Sequence, residues 1–234
     1  MFDPETINYE LPSGRVPPKY SADRSDVKLL VLQKSSGKML DKQFADVADF
    51  IKMGECFVNV AKYSKPLLPE QELEPLYAED YPKTSIIPTA GVPFTEKILS
   101  KLALSCIALS TPPESRITTE ESYLQNKSAL EGYVILDVPD RNYRVTAIGT
   151  TVVKALETYS ISYKRTGESD LLITPGFKFK CIDAMLTNFH YPKEILLAMT
   201  CAFGGTEFVM DAYRYAMSKG YRISDRGDRM LIIP

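Results

Sequence analysis

The sequence predicts an α/β chain built on a mixed sheet. Two observations carry that expectation: from Val27 onward short apolar runs bounded by turn residues alternate with segments of helical periodicity, and no internal repeat interrupts the alternation. A third is composition, since 234 residues that are 44% hydrophobic and 25% charged suffice for one sizeable core.

The elements follow in order. Residues 1–27, with Pro12, Pro17 and Pro18, read as an extended arm lying on the surface. Val27–Leu32 and Cys56–Val60 are expected strands, with a short helix from Phe44 to Met53 ended by Gly54. The acidic stretch Glu70, Glu72, Glu74, Glu79 and Asp80 lies in an expected linker over 66–84. Ser85–Pro88 is read as a strand, Thr95–Leu102 as a helix capped by Thr95, and Leu104–Leu109 as a strand. The polar, proline-broken Thr111–Asn126 is read as a loop or mobile cover. Gly132–Asp137 and Tyr143–Ile148 flank a turn, as a hairpin or as a connection between strands. Gly149-Thr150-Thr151 opens a helix to about Ser160, and Leu171–Thr174 and Phe177–Ile182 are expected strands around the Pro175-Gly176 turn. Helices Pro192–Phe203 and Thr206–Ser218 are separated by Gly204-Gly205, and Tyr221–Ile223 and Met230–Ile233 close the chain as strands.

Composition narrows the function. With 28 basic and 30 acidic residues the net charge is −2, which argues against an extended phosphate-binding surface but leaves room for a local basic groove. Cys56, Cys106, Cys181 and Cys201 lack the two-residue spacing of a zinc or redox motif and read as reduced, buried thiols; with a single histidine, no transition-metal site is expected. Met1–Glu5 lacks the basic and apolar regions of a secretory signal and no apolar run reaches membrane-spanning length, so the expected compartment is the cytoplasm.

The single histidine lies in Thr187-Asn188-Phe189-His190-Tyr191-Pro192-Lys193. If Pro192 occupies the first turn of a helix, then Thr187, Asn188 and His190 precede a helix N-terminus, where free N–H groups favour an anionic or electron-rich ligand. Phe189 and Tyr191 offer faces on which a base can stack. The structural alternative is a capping loop in which His190 makes one buried hydrogen bond. Three further segments end an apolar run in small polar residues: Pro88-Thr89-Ala90-Gly91 before Phe94-Thr95, Ala147-Ile148-Gly149-Thr150-Thr151, and Pro175-Gly176-Phe177-Lys178-Phe179. Small residues admit close approach of a ligand, and threonines at helix starts can bond a ribose or cap the helix.

Taken in order, these segments resemble the S-adenosylmethionine:tRNA ribosyltransferase-isomerase (QueA) family, whose motifs run PTAG-x-x-FT, VGTT-x-x-R-x-LE, PGY-x-F and TNFH-x-P with a following AF-x-G. Here they appear as Pro88–Gly91 with Phe94-Thr95, Ile148–Thr151 with Leu156-Glu157, Pro175–Phe177 with Phe179, Thr187–His190 with Pro192, and Ala202-Phe203 with Gly205. Tyr221-Arg222, Gly227-Asp228-x-Met230-Leu231-Ile232, Tyr9–Pro12 and Leu29–Leu32 extend the match to both ends.

The resemblance implies one QueA-like domain over 1–234, a mixed, barrel-like sheet with flanking helices, without the β-barrel that the family inserts where this chain has 66–84. It implies transfer of the ribosyl part of S-adenosylmethionine, a substrate and not a cofactor, to a 7-aminomethyl-7-deazaguanine base in tRNA, with release of adenine and methionine. No metal and no membrane enter that chemistry. His190, Asn188 and Thr187 would be catalytic, and Thr89, Ala90, Gly91, Phe94, Thr95, Gly149, Thr150, Thr151, Lys154, Glu157, Gly176, Phe177, Phe179, Phe189 and Asp228 would bind substrate. Departures are also visible: NDTRV reads Asn59-Val60-Ala61-Lys62-Tyr63, the histidine of PTAG-x-H-FT is Pro93, and the arginine of VGTT-x-x-R is Lys154, which keeps charge without bidentate reach. They leave open a small-molecule acceptor in place of tRNA, or a non-catalytic protein that binds S-adenosylmethionine or a nucleoside.

Overall fold

The computed structural model describes residues 2–19, 26–51, 54–59, 61–63, 77, 79–84, 89–110 and 127–234. Eleven strands are present among them: β1 (Lys28–Gln33), β2 (Lys38–Gln43), β3 (Gly54–Asn59), β4 (Ala61–Tyr63), β5 (Glu79–Thr84), β6 (Ala103–Ser110), β7 (Lys127–Ile135), β8 (Arg144–Ile148), β9 (Thr166–Leu171), β10 (Ala184–Phe189) and β11 (Ser224–Ile233). Helices are α1 (Val47–Ile51), α2 (Glu96–Leu99), α3 (Thr150–Ser162), α4 (Ile195–Gly204) and α5 (Thr206–Ser218). Nine strands form one mixed sheet in the order β2-β1-β11-β10-β8-β3-β6-β7-β9, and β4 pairs with β5. The centre is parallel (β10, β8, β3, β6), whereas β11 runs antiparallel to β10 and β7 antiparallel to β6.

Both faces of this sheet are covered. Val145, Ala147, Met185 and Met230 meet Val152 and Leu156 of α3, Leu197 of α4 and Tyr213 of α5 on one face. Ile148, Leu186 and Leu231 meet Val47 and Ile51 of α1 and Phe94 and Ile98 around α2 on the other. Leu29–Leu32 are all buried for that reason, since an inner strand covered on both sides has no solvent face for polar residues to occupy.

Several boundaries differ from the sequence expectation. β2 is mostly polar and exposed, an edge strand whose pattern carries no burial signal. The helix expected over Thr95–Leu102 is only Glu96–Leu99, although Thr95 does cap it, accepting from the Ile98 N–H at 3.3 Å. β7 and β8 form a connection and not a hairpin: β7 pairs with β6 and β9, β8 with β3 and β10. The strand expected at Leu171–Thr174 ends at Leu171, and Leu172 and Ile173 are buried without joining a ladder. Phe177–Ile182 is no strand, because the N–H groups of Lys180, Cys181 and Ile182 all donate to the Glu157 carboxylate. The strand is Ala184–Phe189, so Thr187, Asn188 and Phe189 belong to β10 and not to a loop before a helix. Pro192 likewise precedes α4 by a turn in which Lys193 has φ 64°, and Glu194 is the N-cap. Tyr221–Ile223 stays outside β11.

The arm is more than a surface strap: a 3-10 turn over Pro4–Ile7 sinks Ile7 into the main core. The end of the expected linker, Glu79–Thr84, forms β5. The expectations for 64–76, Ser85–Pro88 and Thr111–Asn126 lie outside the described residues.

Candidate active site

The β3-to-β6 connection carries α2 across one face of the sheet, and the β8-to-β10 connection carries α3 across the other. The two parallel crossovers therefore leave the β8–β3 boundary in opposite directions, and such a switch opens a crevice at the carboxyl ends of the strands. At that edge lie the ends of β3, β8 and β10, the start of α3 and, across the antiparallel ladder, the start of β11.

Gly149 makes the turn from β8 into α3 with φ 100°, a conformation an L side chain rarely adopts, while its N–H donates to Leu186 O at 2.8 Å. Gly149 is the N-cap and carries no side chain, so the hydroxyls of Thr150 and Thr151 do not cap α3, and the helix presents its first N–H groups at the edge. A Cβ on Gly149 would touch Ala90 Cβ at 3.5 Å, which places the 3-10 turn Thr89–Gly91 directly against this corner. Gly91 lies so close to Tyr77 that a Cβ there would sit 1.5 Å from the phenol oxygen.

Asn188 joins β10 to that turn. Its Nδ2 donates to Thr89 Oγ1 at 2.8 Å, whereas its buried Oδ1 accepts no hydrogen bond from the described residues. Such an acceptor costs on the order of 1–3 kcal/mol when left unpaired. Opposite Asn188 across the ladder stands Arg229, 1% exposed, whose guanidinium donates to Thr89 O (2.7 Å), Ala90 O (3.3 Å) and Gly227 O (2.6 Å).

Thr187 and His190 occupy the other face. Side chains alternate along a strand, so Thr187 pairs across from core residue Met230 while Asn188 faces Thr89. Thr187 Oγ1 lies 2.8 Å from His190 Nε2, and the His190 backbone is clamped twice, its N–H donating to Tyr213 Oη (2.8 Å) and its carbonyl accepting from Tyr9 Oη (2.6 Å). Burial holds both phenols well above the ordinary tyrosine range, so they remain protonated. The imidazole is 5% exposed.

The remaining expected site residues are engaged elsewhere. Phe189 is a core ring against Tyr213 and Tyr221, not an open stacking face. Phe94 packs edge-on against Phe44. Phe177 and Phe179 stack in series toward Phe203, after a turn at Gly176 with φ 101°. Lys154 Nζ is buried against Glu131 Oε2 (2.9 Å) and Ala129 O (2.6 Å), joining α3 to β7. Glu157 receives three backbone N–H groups at 2.9–3.1 Å. Asp228 accepts from Lys28 N–H, Arg222 N–H and the Arg222 guanidinium. Sequence reasoning missed Arg229, Tyr9, Tyr213 and Tyr77. A charged residue immediately before Met230-Leu231-Ile232-Ile233 was the available signal for the first.

Among the described residues no group of three or more His, Cys, Asp or Glu side chains can hold a metal ion. No single described helix is long and apolar enough to cross a membrane; α4 and α5 pass only as a pair bent by 115°, and both line the core.

The profile of the family described as queuosine biosynthesis protein matches residues 113–232. An S-adenosylmethionine:tRNA ribosyltransferase-isomerase of Coxiella burnetii (strain CbuG_Q212) is 54% identical over 94 residues, 39% of this chain and 27% of that protein. One of the same description from Thermoanaerobacter sp. (strain X514) is 36% identical over 211 residues, 81% of this chain and 60% of the relative. The crystal structure of an S-adenosylmethionine tRNA ribosyltransferase from Thermotoga maritima superposes with a TM-score of 0.72 at 23% identity, covering 97% of this chain and 100% of that one, and thus shares the fold. The chain belongs to the queuosine biosynthesis protein family. It spans less than two thirds of the length of these curated relatives.

Proposed function

We propose that this chain is a transferase-isomerase that uses S-adenosylmethionine as ribosyl donor and a 7-aminomethyl-7-deazaguanine base in tRNA as acceptor, releasing adenine and methionine. The observation that carries the proposal is Asn188 at the end of β10, whose amide is fixed on Thr89 Oγ1 while its buried Oδ1 accepts no hydrogen bond from the described residues. Both residues fall in segments the family shares, and the relatives' names supply the donor and acceptor.

In this proposal the sulfonium acidifies the adjoining ribose carbon: a base takes a proton there, adenine leaves carrying a proton, the acceptor's amine bonds to the ribosyl group and gives up a proton, and closure of the epoxide breaks the carbon–sulfur bond and expels methionine. Asn188 Oδ1 accepts from a donor group of the nucleoside, and the start of α3 with Gly149, Thr150 and Thr151 lets its polar end approach the backbone. His190, oriented by Thr187 and clamped by Tyr213 and Tyr9, is the acid/base group. Its burial shelters the proton transfer from water.

The test is adenine release from S-adenosylmethionine, with and without unmodified tRNA, for wild type, H190A and N188A. H190A is expected to lose turnover by 100-fold or more, on the order of a removed general acid or base, and to keep its affinity for S-adenosylmethionine. N188A is expected to weaken that affinity. Near-normal turnover in H190A removes the histidine from the chemistry; release that ignores tRNA points to a small-molecule acceptor, and no release under either condition points to a binding protein.

A further inference from the structure

We infer that Arg229 is a positioning residue for the Asn188 acceptor, an assignment that rests on the function proposed above. Arg229 and Asn188 are direct cross-strand neighbours on β11 and β10, and they hold opposite ends of the same small unit. Arg229 takes the carbonyls of Thr89 and Ala90, and Asn188 takes the Thr89 hydroxyl. Three further bonds, to Gly227 O, to Asp228 O (3.3 Å) and to Asp225 O (3.2 Å), tie the same guanidinium to the first residues of β11.

The ladder explains why such a tie is needed. Pairing shifts register between Asn188 and Phe189: Asn188 stands opposite Arg229 and Phe189 opposite Ser224, so β11 bulges over 225–228 relative to β10. The bulge and the Thr89–Gly91 turn are separate stretches of chain, and one planar group with donors pointing several ways fastens both. Lysine presents its donors at a single point and cannot span these carbonyls. When the turn drifts, Thr89 Oγ1 drifts with it, and Asn188 loses the bond that fixes its amide.

The experiment compares R229K and R229Q with D183N. Asp183 lies at the opposite end of β10, where it accepts from Val145 N–H at 2.9 Å, and serves as a control for general weakening of the sheet. Each variant is measured for KM and kcat of adenine release, thermal unfolding, and hydrogen exchange of 89–94 without ligand. For R229K the expected result is a KM for S-adenosylmethionine raised about 10-fold, the loss of roughly one well-aligned hydrogen bond, with kcat within about 2-fold and faster exchange confined to 89–94 and 225–229. R229Q, which keeps a single amide donor, is expected to show the same pattern and serves where R229K does not fold. An unchanged KM alongside faster exchange overturns the inference, as does an equal KM rise in D183N. Wild-type protein that releases no adenine overturns the proposed function instead, while unaltered exchange at 89–94 in the arginine variants overturns the role of Arg229 whatever the reaction.

Discussion

Replacing Glu157 by Ala separates two roles for a residue that lies in a family motif yet sits at the core. Its carboxylate is fully buried and accepts the N–H groups of Lys180, Cys181 and Ile182 at 2.9, 3.0 and 3.1 Å. Lys180 is exposed, so its N–H regains water in the variant; Cys181 and Ile182 are buried, and theirs do not. Two buried donors left without partners, at about 1–3 kcal/mol each, give an expected loss of about 4 kcal/mol in unfolding free energy. With a urea slope of about 3 kcal/mol per molar for a chain of this size, the midpoint falls by more than about 1 M. Urea titration followed by circular dichroism measures it, and E157Q, which retains one acceptor oxygen, is expected to lose roughly half as much. A midpoint within about 0.3 M of wild type, together with lost affinity for S-adenosylmethionine, would refute the structural assignment and return Glu157 to the binding site.

Asp228→Asn is expected to destabilise by about 2 kcal/mol, because it removes the charge of a buried carboxylate that faces the partly exposed Arg222 while keeping one acceptor for the Lys28 and Arg222 N–H groups; chemical denaturation measures it, and a loss under about 0.5 kcal/mol contradicts the assignment. Burial pushes the thiols of Cys56, Cys181 and Cys201 up to about 12 from 9.0, so iodoacetamide at pH 8 is expected to leave all three unlabelled in native protein, as read by peptide mass spectrometry. The same shifts set an alkaline limit. A raised native pKa means the folded state keeps protons that the unfolded chain releases, so this stabilisation is whole below pH 9 and declines as pH rises toward about 12.

The sheet was legible where periodicity and burial coincide. Val27–Leu32 and Leu104–Leu109 read correctly because an inner strand covered on both faces is a continuous apolar run. Phe177–Ile182 misled because the same apolar, turn-bounded pattern describes a segment whose N–H groups are satisfied by a distant carboxylate, and nothing local to it announces Glu157. β2 escaped because an exposed edge strand has no apolar signature. At the site, the motif residues Thr89, Asn188 and His190 were visible, but their grouping was not: Thr187 and Asn188 are adjacent in sequence, yet the alternation of β10 sends them to opposite faces. Arg229 was hidden by its neighbours, since a buried arginine reads as a surface charge until its five carbonyl acceptors from two separate stretches of backbone, 89–90 and 225–228, are assembled around it.

That division across β10 constrains how any ligand sits. Thr89, Asn188 and Arg229 approach the strand end from the face of α1 and α2, and Thr187 and His190 from the face of α3, α4 and α5. On the proposed function, a nucleoside held by Asn188 reaches His190 over the end of β10, where the pairing with β11 shifts register and Gly149 keeps the adjoining corner free of side-chain bulk. The motif histidine replaced by Pro93 would have stood on the Asn188 side, next to Phe94 in the same turn-to-helix segment. Its loss leaves one imidazole in the chain, on the opposite face of β10 from Asn188, so that in the proposed function binding and proton transfer draw on separate residues and are separable by mutation.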